Sequence, residues 1–141
     1  MKLTFCKEWQ CFAVSGKLLQ ILAKAAEPLK KDQEETRSIV FNFRDPNYST
    51  ESGGFHPVEL RIFYTKVGWK FDYITDFSFQ GVGYTAELSK EIDFIFAEQI
   101  AYHLYSGELS GYDARSLFDL WQDNFISYVE MGVFQVEISL D

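Results

Sequence analysis

The chain has 141 residues, 47% hydrophobic and 18% aromatic, with a formal net charge of −8. That length fits one domain over residues 1–141, able to bury roughly two thirds of its unfolded surface without staples, and the apolar content excludes a disordered chain. The acidity excludes ordinary nucleic-acid binding, because carboxylates repel phosphate backbones, and no run approaches the roughly 18 apolar residues of a membrane span.

The opening residues hold no unbroken apolar stretch, since Lys7, Glu8 and Gln10 interrupt it, so no signal peptide is expected. Cys6 and Cys11 match no zinc or redox spacing, and reduced thiols in a cytoplasmic protein are the simpler account. A helix is predicted over Gly16–Glu27, with Ser15 as N-cap and Leu18, Ile21, Leu22, Ala25 and Ala26 as its apolar stripe. Pro28 ends it, and the run KKDQEE follows as a solvated connector. Thr36–Phe43 alternates as a strand, with Ile39, Phe41 and Phe43 on one face. The polar stretch from Arg44 to Pro57 reads as a loop, opened by Asp45-Pro46 and loosened by Gly53-Gly54.

Residues 56–79 form a predicted β-hairpin around a Thr65–Gly68 loop, which sets Tyr64 opposite Trp69. Regular alternation from that point places Ile62 across from Phe71, Leu60 from Tyr73 and Val58 from Thr75. Arg61 then meets Asp72 on the other face. A connection with a helical turn at Thr85–Leu88 leads to a strand carrying Ile92, Phe94 and Phe96. Residues 99–105 read as a further strand, with a helix over 97–105 as the competitor, and residues 106–113 as a loop. A second helix runs from Ala114 to Met131, with Asp113 as N-cap, Gly132 past its end, and Leu117, Phe118, Leu120, Trp121, Phe125 and Tyr128 on its apolar side. A last strand carries Phe134, Val136, Ile138 and Leu140. Long helices do not alternate regularly with strands, so the fold expected is α+β, a mainly antiparallel sheet with two principal helices packed on it.

The runs NFRDPNYSTESGGFHPVE and YITDF between Asn42 and Phe77, with the tail LFDLWQDNFISYVEMGVFQVEIS, resemble a family of small uncharacterised bacterial proteins, domain of unknown function 2787. The resemblance spans most of the chain after the first helix. It implies a bacterial single-domain protein and carries over no activity and no site residue.

Chemistry-bearing residues are sparse. His56 would need a carboxylate partner to act as a base or a ligand anchor. In the regular hairpin register Glu59 and Asp76 lie at the opposite parity to His56, so only a bulge or bend would bring Asp76 to it. The loop acids Asp45 and Glu51 remain as partners, and His56, Asp45 and Glu51 are the candidate ligand-binding set. The residues favour the plainer account, a histidine satisfied locally as the chain turns into a strand. His56, His103, Cys6 and Cys11 are scattered, so no metal site is expected. No nucleophile motif, nucleotide loop or cofactor fingerprint occurs, and no catalytic residue is named. The aromatic row from Trp69 to Phe79 is read as core, since Asp72 and Asp76 accompany it in place of bases.

Residues 1–44 carry net charge +3, residues 45–141 net −11, and residues 87–141 alone net −9. Three functions follow. The first is a non-enzymatic interaction module of the cytoplasm, with a protein partner, for which a basic one suits the charge, or with itself as a homo-oligomer. The second is a small-molecule binder or enzyme built on the 44–57 loop and His56, which requires a concave pocket where His56 meets two or more polar side chains. The third is an acidic nucleic-acid mimic that occupies a basic protein.

Overall fold

In the computed structural model, which describes residues 1–8 and 10–141, the side chain of Ser15 accepts from the backbone N–H of Leu18 at 3.2 Å and starts helix α1, Gly16–Ala26. The helix buries Leu18, Leu22 and Ala26, three positions of the predicted stripe. Seven strands follow: β1, Ser38–Arg44; β2, Val58–Thr65; β3, Gly68–Gln80; β4, Glu87–Ile95; β5, Ile100–His103; β6, Gly107–Ser110; and β7, Gln135–Leu140. Helix α2, Gly111–Glu130, separates β6 from β7.

The strands form one antiparallel sheet in the order β6-β5-β4-β3-β2-β1-β7. With two helices added, the chain is an α+β protein, as the order of its elements predicts. The first six strands run as a meander. Helix α2 then takes the chain from one edge of the sheet to the other. Its 20 residues span about 30 Å at about 1.5 Å per residue. Six gaps between seven strands, at about 4.8 Å each, come to about 29 Å. The helix is therefore just long enough for the crossing it makes.

One core lies between the helices and the inner face of the sheet. Ile39, Phe41, Phe43, Leu60, Ile62, Ile74 and Phe94 come from the strands, Leu18 and Leu22 from α1, and Phe118 and Phe125 from α2. Phe12, just ahead of α1, stacks on Phe118 and meets Phe94 and Phe96 edge-on, with centroids 5.1–5.5 Å away. Each such side chain removed from water contributes roughly 1.5–3 kcal/mol. The opposite face carries polar pairs: Thr75 donates to Asp93 at 2.7 Å, Tyr73 to Glu59, and Arg61 to Asp72. No helix of the described residues is long and apolar enough to cross a membrane.

Several sequence expectations change. The second helix begins at Gly111 and not at Ala114, with Ser110 in the N-cap place assigned to Asp113. Gly132 does adopt the left-handed conformation expected past its end, with φ +75°. Residues 100–103 are strand, and residues 107–110, read as loop, pair with them as β6. The helical turn lies at Gly83–Thr85 and β4 starts at Glu87. On β7, an edge strand, Val136 and Leu140 are exposed, and Ile138 is the residue of that face that packs against the core.

The largest change is the hairpin register. Tyr64 faces Trp69 and Ile62 faces Phe71, as the turn predicts. Then β3 bulges, leaving Asp72 as the extra residue, and Arg61 faces Tyr73, Leu60 faces Ile74 and Val58 faces Asp76. Beyond the bulge every side chain of β3 changes faces relative to regular alternation, as one inserted residue requires.

Candidate functional site

The shifted register turns Asp76 inward, under α2. A second bulge follows at the same level. Asp76 faces Ile92 across β3 and β4, but Phe77 faces Lys90, which leaves Glu91 as the extra residue. Both Glu91 and Ile92 then line one cleft. Two bulges in adjacent strands thus bring two carboxylates to the same place.

The loop between β1 and β2 supplies the third group. It is braced from within. Both oxygens of Asp45 accept backbone N–H bonds, from Asn47 at 2.9 Å and from Phe55 at 3.0 Å. Ser49 and Gly53 exchange backbone bonds at 3.2 and 3.0 Å. Gly54 holds φ +131°, and a Cβ there would lie 2.8 Å from Asp45 Oδ2, so the loop closes over a position only glycine fits. Tyr48 anchors the loop to β3 by accepting from the Phe79 N–H at 3.1 Å, with its ring against both Phe79 and His56.

His56 emerges from this loop onto the carboxylates. Its Nδ1 lies 2.8 Å from Asp76 Oδ1 and 3.4 Å from Glu91 Oε2. The side chains are 35%, 12% and 23% exposed for His56, Asp76 and Glu91, so the group is partly dry and still reachable. Each carboxylate has its other oxygen held. Trp121 Nε1 on α2 donates to Asp76 Oδ2 at 3.0 Å. Ser78 donates to Glu91 Oε1 at 3.1 Å, and Gln80 donates to Ser78 at 2.6 Å. The hydrogen bond that His56 donates to Asp76 raises the His56 pKa above its ordinary value. Burial opposes the rise, and the charges of Asp76 and Glu91 add to it.

Beyond His56, Asp76 and Glu91 the cleft is mainly apolar, with the Asn124 amide as a further polar side chain. Its volume is about 360 Å³, and Phe55, Val58, Leu117, Trp121, Phe125 and Tyr128 form most of its wall. No Ser, Thr, Cys, Lys or Arg is among the residues lining it. The arrangement can hold a cation between carboxylates, accept or donate protons at the imidazole, and bury a small apolar body. Among the lining residues the one hydroxyl is the phenol of Tyr128, and no serine, threonine, cysteine or lysine nucleophile is among them.

Of the residues singled out in the sequence, His56 is at the cleft. Asp45 is the internal brace of the loop, and Glu51 lies exposed at its tip; neither pairs with the imidazole. Regular register sets Asp76 aside, and the Asp72 bulge overturns that ground. Sequence reasoning does not reach Glu91 or Trp121 as site residues. Glu91 gives no signal apart from its charge at the start of an alternating strand, and Trp121 reads as core. His103 lies elsewhere, with Nδ1 accepting from the Tyr105 N–H at 3.2 Å.

Residues 16–139 match the family described as "Protein of unknown function (DUF2787)". Two solved structures are similar to the chain. One is the hypothetical protein VC0508 from the VSP-II pathogenicity island of Vibrio cholerae, 38% identical, with a TM-score of 0.87 over 99% of this chain and 100% of that one. The other is the conserved hypothetical protein VC1805 from pathogenicity island VPI-2 of Vibrio cholerae O1 biovar eltor, 33% identical, with a TM-score of 0.79 over 94% of this chain and 98% of that one. That second protein is described as sharing structural homology with the human P32 protein. No curated protein matches the chain.

Proposed function

The chain belongs to the DUF2787 family, and since that family transfers no activity we propose, from the site alone, that it is a small-molecule-binding protein whose ligand sits between α2 and the sheet. The ligand has an apolar or aromatic body for the Phe55–Trp121–Phe125–Tyr128 wall and a polar head for His56, Asp76 and Glu91. One observation carries the reading: a histidine with two carboxylate partners stands at the mouth of an apolar cleft of about 360 Å³, within the size range of small-ligand sites. The sequence alone favours an interaction module, and it sets as the mark of a binder that His56 meet two polar side chains in a concavity.

Indole is the probe for the apolar body. It is titrated against metal-free protein while the Trp121 indole N–H and the His56 ring are followed by NMR. Both signals are expected to shift together and saturate, whereas the Trp69 indole, which donates to Gln33 at 3.0 Å away from the cleft, stays still. Leu120 lines the cleft on α2 and is 61% exposed, so Leu120→Asp should abolish the shifts and leave the fold intact. Absence of a saturable joint shift, or shifts that survive Leu120→Asp, would remove the reading.

The interaction-module reading retains one specific support. Val82 and Tyr84, in the β3–β4 connection, and Tyr105, in the β5–β6 turn, are large exposed apolar groups, and the Tyr105 hydroxyl reaches Gln80 at 3.5 Å. They lie at one corner of the sheet. If they serve a homo-oligomer, Tyr84→Ser and Tyr105→Ser will lower the mass measured by sedimentation; a monomer at high concentration would count against it.

A further inference from the structure

We propose that His56, Asp76 and Glu91 form a divalent-metal site at the polar end of the cleft, suited to zinc or a similar first-row ion, with at least one coordination position open toward the apolar wall. The inference deepens the binding reading, and rests on it for what fills the open position: the head of the ligand would then be a donor to the ion, such as a carboxylate.

Three observations carry it. The first is spacing. His56 Nδ1 is 2.8 Å from Asp76 Oδ1 and 3.4 Å from Glu91 Oε2, and the three candidate ligand atoms lie within 4.8 Å of one another. A tetrahedral ion with bonds of about 2.0–2.1 Å sets its ligands about 3.3 Å apart. Small side-chain adjustments would therefore close the set around an ion, which would take the place of the proton between His56 and Asp76.

The second is orientation. Each carboxylate is fixed through one oxygen by a protein donor, Asp76 by Trp121 Nε1 and Glu91 by the Ser78 hydroxyl. Each has its other oxygen aimed at the imidazole. Donors behind the ligands are what hold metal-binding carboxylates in place. Here they come from α2 and from β3, so the site is pinned from two elements.

The third is charge. Two carboxylates meet one imidazole, and no Lys or Arg lines the cleft. Even with His56 protonated, one negative charge is left over in a partly dry pocket, where an unpaired charge is costly. A dication answers that charge. The imidazole nitrogen favours zinc and its first-row neighbours over calcium and magnesium, which prefer oxygen alone.

The test uses the full chain, stripped with a chelator and dialysed. Zinc is titrated by calorimetry, and Co²⁺ is added separately as a visible-absorption reporter. The proposal expects one equivalent of zinc and Co²⁺ bands of four- or five-coordinate intensity. His56→Gln and Glu91→Gln should each weaken zinc at least about tenfold, and Trp121→Phe about tenfold through the loosened Asp76. His103→Gln and Cys11→Ser should change nothing. Glu91→Gln preserves shape at a partly exposed position, and circular dichroism on each variant separates lost binding from lost fold. No zinc binding at millimolar concentration, or binding that survives both His56→Gln and Glu91→Gln, overturns the proposal. Indole binding to the metal-free protein then reports on the cleft by itself. Indole without zinc removes only the metal, and zinc without indole removes only the apolar ligand.

Discussion

Replacing Asp76 by asparagine should reverse the direction in which His56 is perturbed. In the metal-free protein the hydrogen bond to Asp76 is the largest influence on the imidazole and raises its pKa, burial is second and lowers it, and the charge of Glu91 is the smallest and raises it. Asp76→Asn would delete both contributions of the carboxylate. Burial then outweighs Glu91, and His56 should titrate below about 6.5. The fold should survive, because the amide satisfies both neighbours. Its oxygen can accept from Trp121 Nε1, which now donates at 3.0 Å, and its NH2 can donate to a neutral His56 Nδ1. A charge-assisted hydrogen bond contributes about 1.5–3 kcal/mol when well buried. His56 is 35% exposed, so solvent screening reduces this to about 1 kcal/mol. The sign follows from linkage. In the native chain that stability is complete below about pH 6.5 and is lost as pH rises through the higher folded pKa. In Asp76→Asn the folded pKa is the lower one, and stability increases as pH rises toward and past about 6.5. Two-dimensional NMR of the imidazole rings, with His103→Gln for assignment, gives the titrations. Urea midpoints across the same pH range give the stability. A His56 that still titrates above about 6.5 in Asp76→Asn, or an unchanged pH slope of stability, would refute the ordering of influences.

Other substitutions probe the frame around the site. Gly68 holds φ +110°, and a Cβ there would lie 2.7 Å from the Thr4 carbonyl oxygen and 2.8 Å from the Cys6 nitrogen, so Gly68→Ala should cost about 2–4 kcal/mol in urea unfolding. Gly53, with φ +68° but open space around it, should lose only about 1 kcal/mol on the same change; equal losses would refute the crowding argument. Thr75→Val keeps the shape of a buried side chain but orphans an oxygen of buried Asp93, with an expected loss of about 1–3 kcal/mol; a neutral result would mean that Asp93 finds another donor. Phe118→Ala empties the junction of Phe12, Phe94, Phe96 and α2 and should cost about 3–5 kcal/mol, measured by thermal or urea denaturation.

Where residues follow their local pattern, the fold can be read ahead of the structure. Ser15 caps α1, the Thr65–Gly68 turn sets its own register, and Ile39, Phe41 and Phe43 all face the core. The short β6 escapes such a reading because three residues between Gly107 and Gly111 look like a loop, although Gly107 at φ +75° is the turn residue of a tight hairpin. The site is hidden for a different reason. Past Phe71, strict alternation offers Tyr73, Thr75 and Phe77 as the inward set, and the alternative is Ile74, Asp76 and Ser78. Apolar preference selects the first set. The protein uses the second, and the carboxylate that makes it look wrong is the one that meets His56. The bulge at Asp72 therefore conceals the site and creates it: without the extra residue Asp76 would point away from the cleft, and His56 would stand beside an apolar wall without it. A departure from binary pattern kept at the cost of two bulges in adjacent strands needs a return, since bulges interrupt the hydrogen-bond ladder and inward carboxylates bring a desolvation cost. The same shift turns Ile74 into the core, but packing does not account for Asp76, a carboxylate that lines an open cleft. The ligand proposed for that cleft would supply the return.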